Sequence, residues 1–118
     1  MQKIKIILPR TIGFYVRNYI LTNKEFLERV RNNQVYISTE YSDNNSPIPD
    51  MTVCIGVITD FESTKNSLYA IYEPLSVHNS VYFDIPGIRI FPKGVCDYKT
   101  KEVYITGFKI SLERYKFY

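Results

Sequence analysis

The chain is poor in the residues from which most active sites are built. Its 118 residues contain no Trp, one His, two Cys and five Gly. Zinc sites need four clustered ligands, or three plus water. His78 has no second imidazole to work with, so no metal site is expected. Nucleophilic catalysis needs a nucleophile, a base and a group that orients the base. Ser76 and Ser80 flank His78, but at positions that suit a turn, so they read as turn residues and no catalytic residue is assigned. The carboxylates Glu40, Asp43, Asp50, Asp60, Glu62 and Asp84 fall at strand ends and in loops, where acidic residues ordinarily sit.

Cysteine and glycine are too scarce for two further classes. Cys54 and Cys96 lie 42 positions apart, each within an apolar run. Two such residues make no disulfide framework. They read as buried thiols, because Cys behaves as a small hydrophobe, and buried thiols suit a reducing compartment. A phosphate cradle needs a Gly-rich loop opening a helix. The segment "FPKGVC" has one Gly and leads into a strand, so no cofactor is expected. The net charge of +3 is too small for the concentrated basic face of a typical nucleic-acid binder. No apolar run approaches the roughly 20 residues of a membrane span. The start, "MQKIKIILPRTIGF", is too short and too punctuated for a signal peptide. The expectation is a soluble intracellular protein with no membrane partner.

What the chain does have is an ordinary globular balance, 45% hydrophobic and 23% charged, with 11 Tyr. The length suits a single domain over residues 1–118, with one core and no need of covalent staples. Tyr favours strands and interfaces, since its ring buries area while its hydroxyl stays paired or wet.

Residues 3–8, "KIKIIL", alternate and read as a first strand ended by Pro9. Residues 12–20 extend it or form a second strand around Phe14, Val16 and Ile20. In "TNKEFLERVRNN", Thr22 and Glu25 have capping-box spacing, Phe26, Leu27 and Val30 form an apolar stripe, and Asn32–Asn33 suit a helix end. The prediction is one short helix near residues 23–32, with its stripe on the core and Glu28, Arg29 and Arg31 on a solvated face. Residues 34–41 alternate as a strand, and "SDNNSPIPD", residues 42–50, is a loop. "TVCIGVITDF" and "NSLYAIYEPL" form a hairpin across "ESTKN". The first of these is apolar on both faces and should be central. A turn at His78–Asn79, a strand at 80–85 and a turn at Pro86–Gly87 follow. The last unit is a hairpin turning near Lys99–Thr100. In its second strand, Val103 and Ile105 have opposite parity to Phe108, Ile110 and Leu112. A β-bulge at Thr106–Gly107 would return both sets to the core, with Gly94 doing similar backbone work. The fold class is mainly β (α+β): a small twisted antiparallel barrel or sandwich of about seven strands with one helix.

The pattern "CIGVITDF...SLYAIYEPL...IRIFPKGVCDYKTKEVYITGFKISLE" resembles the core of the prohead proteases of tailed myoviruses and their small phage relatives, over roughly residues 37–113. In that family a Gly-x-Val step leads to a second strand, and a Ser-Ser-Arg-Gly segment precedes the final strand. This chain has Phe91-Pro92 before Lys93-Gly94, and "STEYSD" at residues 38–43 carries Glu40 but no His. The resemblance therefore implies a scaffold without the nucleophile and the base.

The resulting expectation is a small non-enzymatic phage-type protein that binds a host or viral protein. Two roles fit: a host-defence inhibitor, such as an anti-CRISPR, or an accessory of virion assembly. The site would be the host cell cytoplasm. Tyr, Phe, Met and Arg are the types that interfaces enrich. The candidate partner-binding residues are Tyr36, Tyr41, Tyr69, Tyr72, Arg114, Tyr115, Phe117 and Tyr118. An exposed edge strand would allow a homodimer. The alternative is a single-stranded nucleic-acid-binding β-barrel, with a positive face including Lys109 and Lys116 beside an exposed Tyr115 or Phe117. A third hypothesis is a residual hydrolase using His78.

Overall fold

Six strands account for the sheet of the computed structural model, which describes residues 2–39, 51–97 and 99–111. They are β1 (Gln2–Lys5), β2 (Tyr36–Ser38), β3 (Cys54–Ser63), β4 (Leu68–Pro74), β5 (Arg89–Asp97) and β6 (Glu102–Ser111). Their order in the sheet is β1-β4-β3-β2-β6-β5. The sheet curls into a half-barrel whose outer strands meet at one point. There Ile6 bridges Ile90 in parallel, and the Ile7 N–H donates to the Ile90 carbonyl at 2.7 Å.

Three features of this sheet follow the sequence pattern. The β3–β4 hairpin closes where Thr64 and Ser67 bond across the loop, with the Thr64 N–H donating to the Ser67 carbonyl at 2.8 Å. β3 is central, and Cys54, Ile55 and Ile58 are all buried on its two faces. In the last hairpin, Lys93 faces Gly107 and Gly94 faces Ile105, so Thr106 is the extra residue of a bulge. Ile105, Phe108 and Ile110 all reach the core as a result. Gly94 has φ +144, and a Cβ there would collide with the Tyr104 carbonyl oxygen. At the hairpin tip, Asp97 accepts the Lys99 and Thr100 N–H groups through Oδ1 at 2.8 and 3.3 Å, an Asx-type turn.

Other expectations are corrected. The sheet is mixed, because β2 and β6 run parallel, and its described strands number six rather than seven. Residues 12–20 form no strand. They belong to helix α1 (Gly13–Thr22), which buries Val16 and Ile20. Ile12, Val16 and Ile20 recur every four residues and are all core. That spacing outweighs the strand preference of β-branched and aromatic residues. Helix α2 (Lys24–Arg31) is capped by Asn23, not Thr22. The Asn23 side chain accepts the Phe26 N–H at 2.9 Å. Thr22 cannot serve, because it is still in the last turn of α1, where its hydroxyl donates to the Asn18 carbonyl at 2.6 Å. At the other end Asn33 takes φ 57, and the Asn33 and Gln34 N–H groups bond Val30 and Arg29 carbonyls in a Schellman pattern.

Residues 80–85 are not a strand either. A 3-10 turn (Val77–Asn79) leads into the one-turn helix α3 (Ser80–Phe83). Among the described residues no strand pairs with this segment, and its Phe83 ring packs 4.3 Å from the centroid of Tyr72. Gly87, at φ +76, then makes the tight turn that Pro86 begins, closed by Ile88 N–H to Ile85 carbonyl at 3.1 Å.

The predicted apolar stripe of α2 does face the core: Phe26 and Val30 are buried and Leu27 packs against them. Phe26 sits among Tyr19, Phe61 and Phe108, with centroids 5.3, 5.7 and 6.4 Å away. One cluster of buried residues runs from Ile4 to Ile110 and draws on the helices and the sheet. Glu28 and Arg31 pair on the exposed face at 3.3 Å, as expected. Arg29 does not lie on that face; it is half-buried and bonded to β6. No helix among the described residues is long and apolar enough to cross a membrane.

Candidate functional site

The three named tyrosines among the described residues, Tyr36, Tyr69 and Tyr72, do not converge. Tyr36 on β2 and Tyr69 on β4 are half-buried and separated by β3. Tyr69 stands beside the exposed Lys3–Glu62 pair, with the Lys3 ammonium 2.7 Å from the carboxylate and 4.9 Å from the ring centroid. The bond to Glu62 holds the Lys3 ammonium above its ordinary pKa. Tyr72 shares the inner face of β4 with Leu68 and Ala70 and is only 6% exposed. Its burial, and secondarily the charge of Asp84, push its hydroxyl above the ordinary value of 10.0. Tyr41, Arg114, Tyr115, Phe117 and Tyr118 lie outside the described residues, as does Lys116 of the nucleic-acid alternative. Lys109, the other cation of that alternative, stands 5.1 Å over the Phe91 ring on the last hairpin.

Ser76 and Ser80 serve the turn around His78. The Ser76 hydroxyl bonds Asn79 Oδ1 at 3.0 Å, and the Ser80 hydroxyl donates to the Val77 carbonyl at 2.7 Å. Among the described residues, no three of His, Cys, Asp and Glu gather as metal ligands.

The surface is distinctive in its large apolar side chains, which gather in two places. The first is the segment Leu75–Tyr82. Leu75, Val77, Val81 and Tyr82 are all exposed there, Val77 at 79% and Val81 at 62%. Neither the 3-10 turn nor α3 contains a buried residue. The segment is pinned at its two ends. Leu75 N–H donates to the Ile55 carbonyl at 2.9 Å, and Phe83 lies on Tyr72 and against Gly56. Exposed Met51 opens the turn that leads into β3 at the same end of the sheet. Isolated exposed hydrophobics need no explanation, but several on one short segment mark a surface suited to contact. The sequence signal was present: Val77 and Val81 are four apart, the spacing of one helix face.

The second place lies where α1 meets the start of β6. Phe14 and Tyr15 pack edge to face at 5.8 Å, and Phe14 is 76% exposed. The Lys101 ammonium stands 5.7 Å from the Tyr15 centroid, and the Arg29 guanidinium 5.3 Å from that of exposed Tyr104. Beside them opens a cavity of about 460 Å³ between α1, the N-terminus of α2 and β6. Sequence reasoning missed this face because it placed Phe14 in a strand.

No family model, no curated protein and no solved structure matches the chain.

Proposed function

We propose that the chain is a small non-enzymatic protein that acts by binding another protein, and that it docks through Leu75–Tyr82. The observation that carries this reading is the exposure of Leu75, Val77, Val81 and Tyr82 on a segment with no buried residue in its helical turns. Interfaces have an apolar centre and a polar rim. Here the rim is supplied by Ser76, His78, Asn79 and Asp84, and the segment is braced by Phe83 on Tyr72. A braced apolar centre loses little freedom on binding, which favours its use as an anchor. The resemblance of residues 37–113 to the prohead proteases of tailed myoviruses and their small phage relatives supports a partner in phage infection, as an anti-defence inhibitor of the anti-CRISPR kind or as an accessory of virion assembly.

The experiment is affinity capture from infected-host lysate, with the retained protein identified and the capture repeated with V77D/V81D. Both side chains are exposed, so the variant should melt at the wild-type temperature. The expected result is one partner retained by wild type and lost by the variant. Equal retention by both proteins would reject the site. Absence of any retained partner would reject the binding role.

A further inference from the structure

The segment Leu75–Tyr82 sits in a charge pattern that selects its partner. The chain holds 15 Lys and Arg against 12 Asp and Glu, yet residues 66–88 contain no Lys or Arg. The charged residues of that stretch are two carboxylates, Glu73 and Asp84, with His78 between them. Both carboxylates are exposed, and they bracket the apolar side chains. Glu73 stands on β4 two positions before Leu75, and strand alternation sends it to the face opposite the buried Tyr72. Asp84 ends α3, where its N–H donates to the Val81 carbonyl at 3.4 Å. Among the described residues, neither carboxylate joins an ion pair. The apolar patch of a chain with net charge +3 is therefore edged by negative charge.

An acidic margin decides between occupants. It repels the phosphates of nucleic acid and of anionic lipid. A second copy docked through the same segment would bring two cation-free, acidic margins together, and like charges across an interface are unfavourable. A protein surface of opposite charge gains from both carboxylates. The exposure of Val77 and Val81 requires that this surface also have an apolar centre to receive them. We infer that the partner's docking surface is an apolar patch edged by Lys or Arg, whose cations meet Glu73 and Asp84. A basic amphipathic helix is the simplest surface of that kind. The inference rests on docking through Leu75–Tyr82 and adds the sign of the partner's charge.

The test uses two labelled helical peptides with the same Leu-rich face, one flanked by Lys and the other by Glu, each titrated with the full chain by fluorescence anisotropy. The Lys peptide should bind saturably at low salt, about tenfold or more tighter than the Glu peptide, and should weaken as salt rises. E73Q/D84N should weaken the Lys peptide by about three- to tenfold at an unchanged melting temperature and bring the two peptides closer together. V77S/V81S removes apolar area without changing charge, so it should weaken the Lys peptide by about tenfold or more. Equal binding of the two peptides, or a Lys peptide indifferent to E73Q/D84N, would overturn the inference. If V77S/V81S still weakens binding in that case, docking through the segment stands and only the basic margin falls. A Lys peptide indifferent to V77S/V81S would remove the docking site as well. Binding of neither peptide at millimolar concentration would overturn the inference and leave capture from lysate as the separate test of docking. Sedimentation of the chain alone as a dimer that V77S/V81S dissociates would assign the surface to a second copy and overturn the inference too.

Discussion

Arg29 Nη2 donates to the backbone carbonyl of Ile105 at 2.8 Å, tying helix α2 to strand β6 at the bulge. The same guanidinium stacks between the rings of Phe26 and Tyr104, 5.4 and 5.3 Å from their centroids. A single cation thus fastens the helical layer to the strand whose irregularity lets Ile105 and Phe108 share one core. Hydrogen bonds to charged groups contribute about 1.5–3 kcal/mol. R29A should therefore lower the unfolding free energy by roughly 1–3 kcal/mol in urea titration, whereas R31A, on the solvated face, should stay within about 0.5 kcal/mol. Equal small effects of the two would mean that Arg29 does not fasten the layers.

The bulge has its own test. Gly94 has φ +144 and no room for a Cβ, while Gly87 has φ +76 and open space around it. G94A meets both strain and a backbone collision, so it should cost clearly more than the roughly 1–3 kcal/mol of a strained backbone conformation alone. G87A meets only that strain. Denaturant midpoints measured side by side should rank G94A well below G87A, and the reverse order would refute the bulge geometry.

Phe83 couples the core to the exposed segment. A Cβ at Gly56 would approach the Phe83 ring to 3.0 Å, so G56A should displace the ring and loosen α3. F83A should do so more fully. Both should lower partner retention while costing less stability than F26A, whose buried ring is worth about 3–5 kcal/mol. Retention unchanged in F83A would show that the segment binds without its brace.

The pH dependence follows from Tyr72. Burial, and then Asp84, hold its hydroxyl above 10.0 in the folded protein. Above pH 10 the unfolded chain therefore gives up this proton while the folded chain still holds it. Fewer protons on the unfolded state make stability fall as pH rises, and below pH 10 the group adds no slope. Y72F should reduce the decline in unfolding free energy above pH 10 relative to wild type. Parallel curves for the two proteins would contradict the assignment.

What could be read from the sequence was the local part of the fold. The Asp97–Lys101 turn, the β3–β4 hairpin, the Thr106 bulge and the core stripe of α2 each rest on neighbouring residues. The parallel pairing of β2 with β6 joins Ile37 to Phe108, far apart in the chain, and no local pattern announces it. Helix α1 was hidden by Val, Ile, Tyr and Phe, which suit strands, although Ile12, Val16 and Ile20 kept helical spacing. The same holds for the surface. Tyr72 alternates with the buried Leu68 and Ala70, a pattern that points inward and away from the partner-binding role expected of it. Val77 and Val81 carry the spacing of one helix face, but their exposure depends on how residues 77–82 sit against the sheet, which no local pattern announces.

The most direct test of docking through this segment is site-specific photocrosslinking. A photoreactive residue is placed at Val81 or, as control, at exposed Lys65 in the β3–β4 loop, and each protein is irradiated with the captured partner. The expected result is a covalent adduct from position 81 and none from position 65. An adduct from 65 but not from 81 would contradict the proposed docking surface.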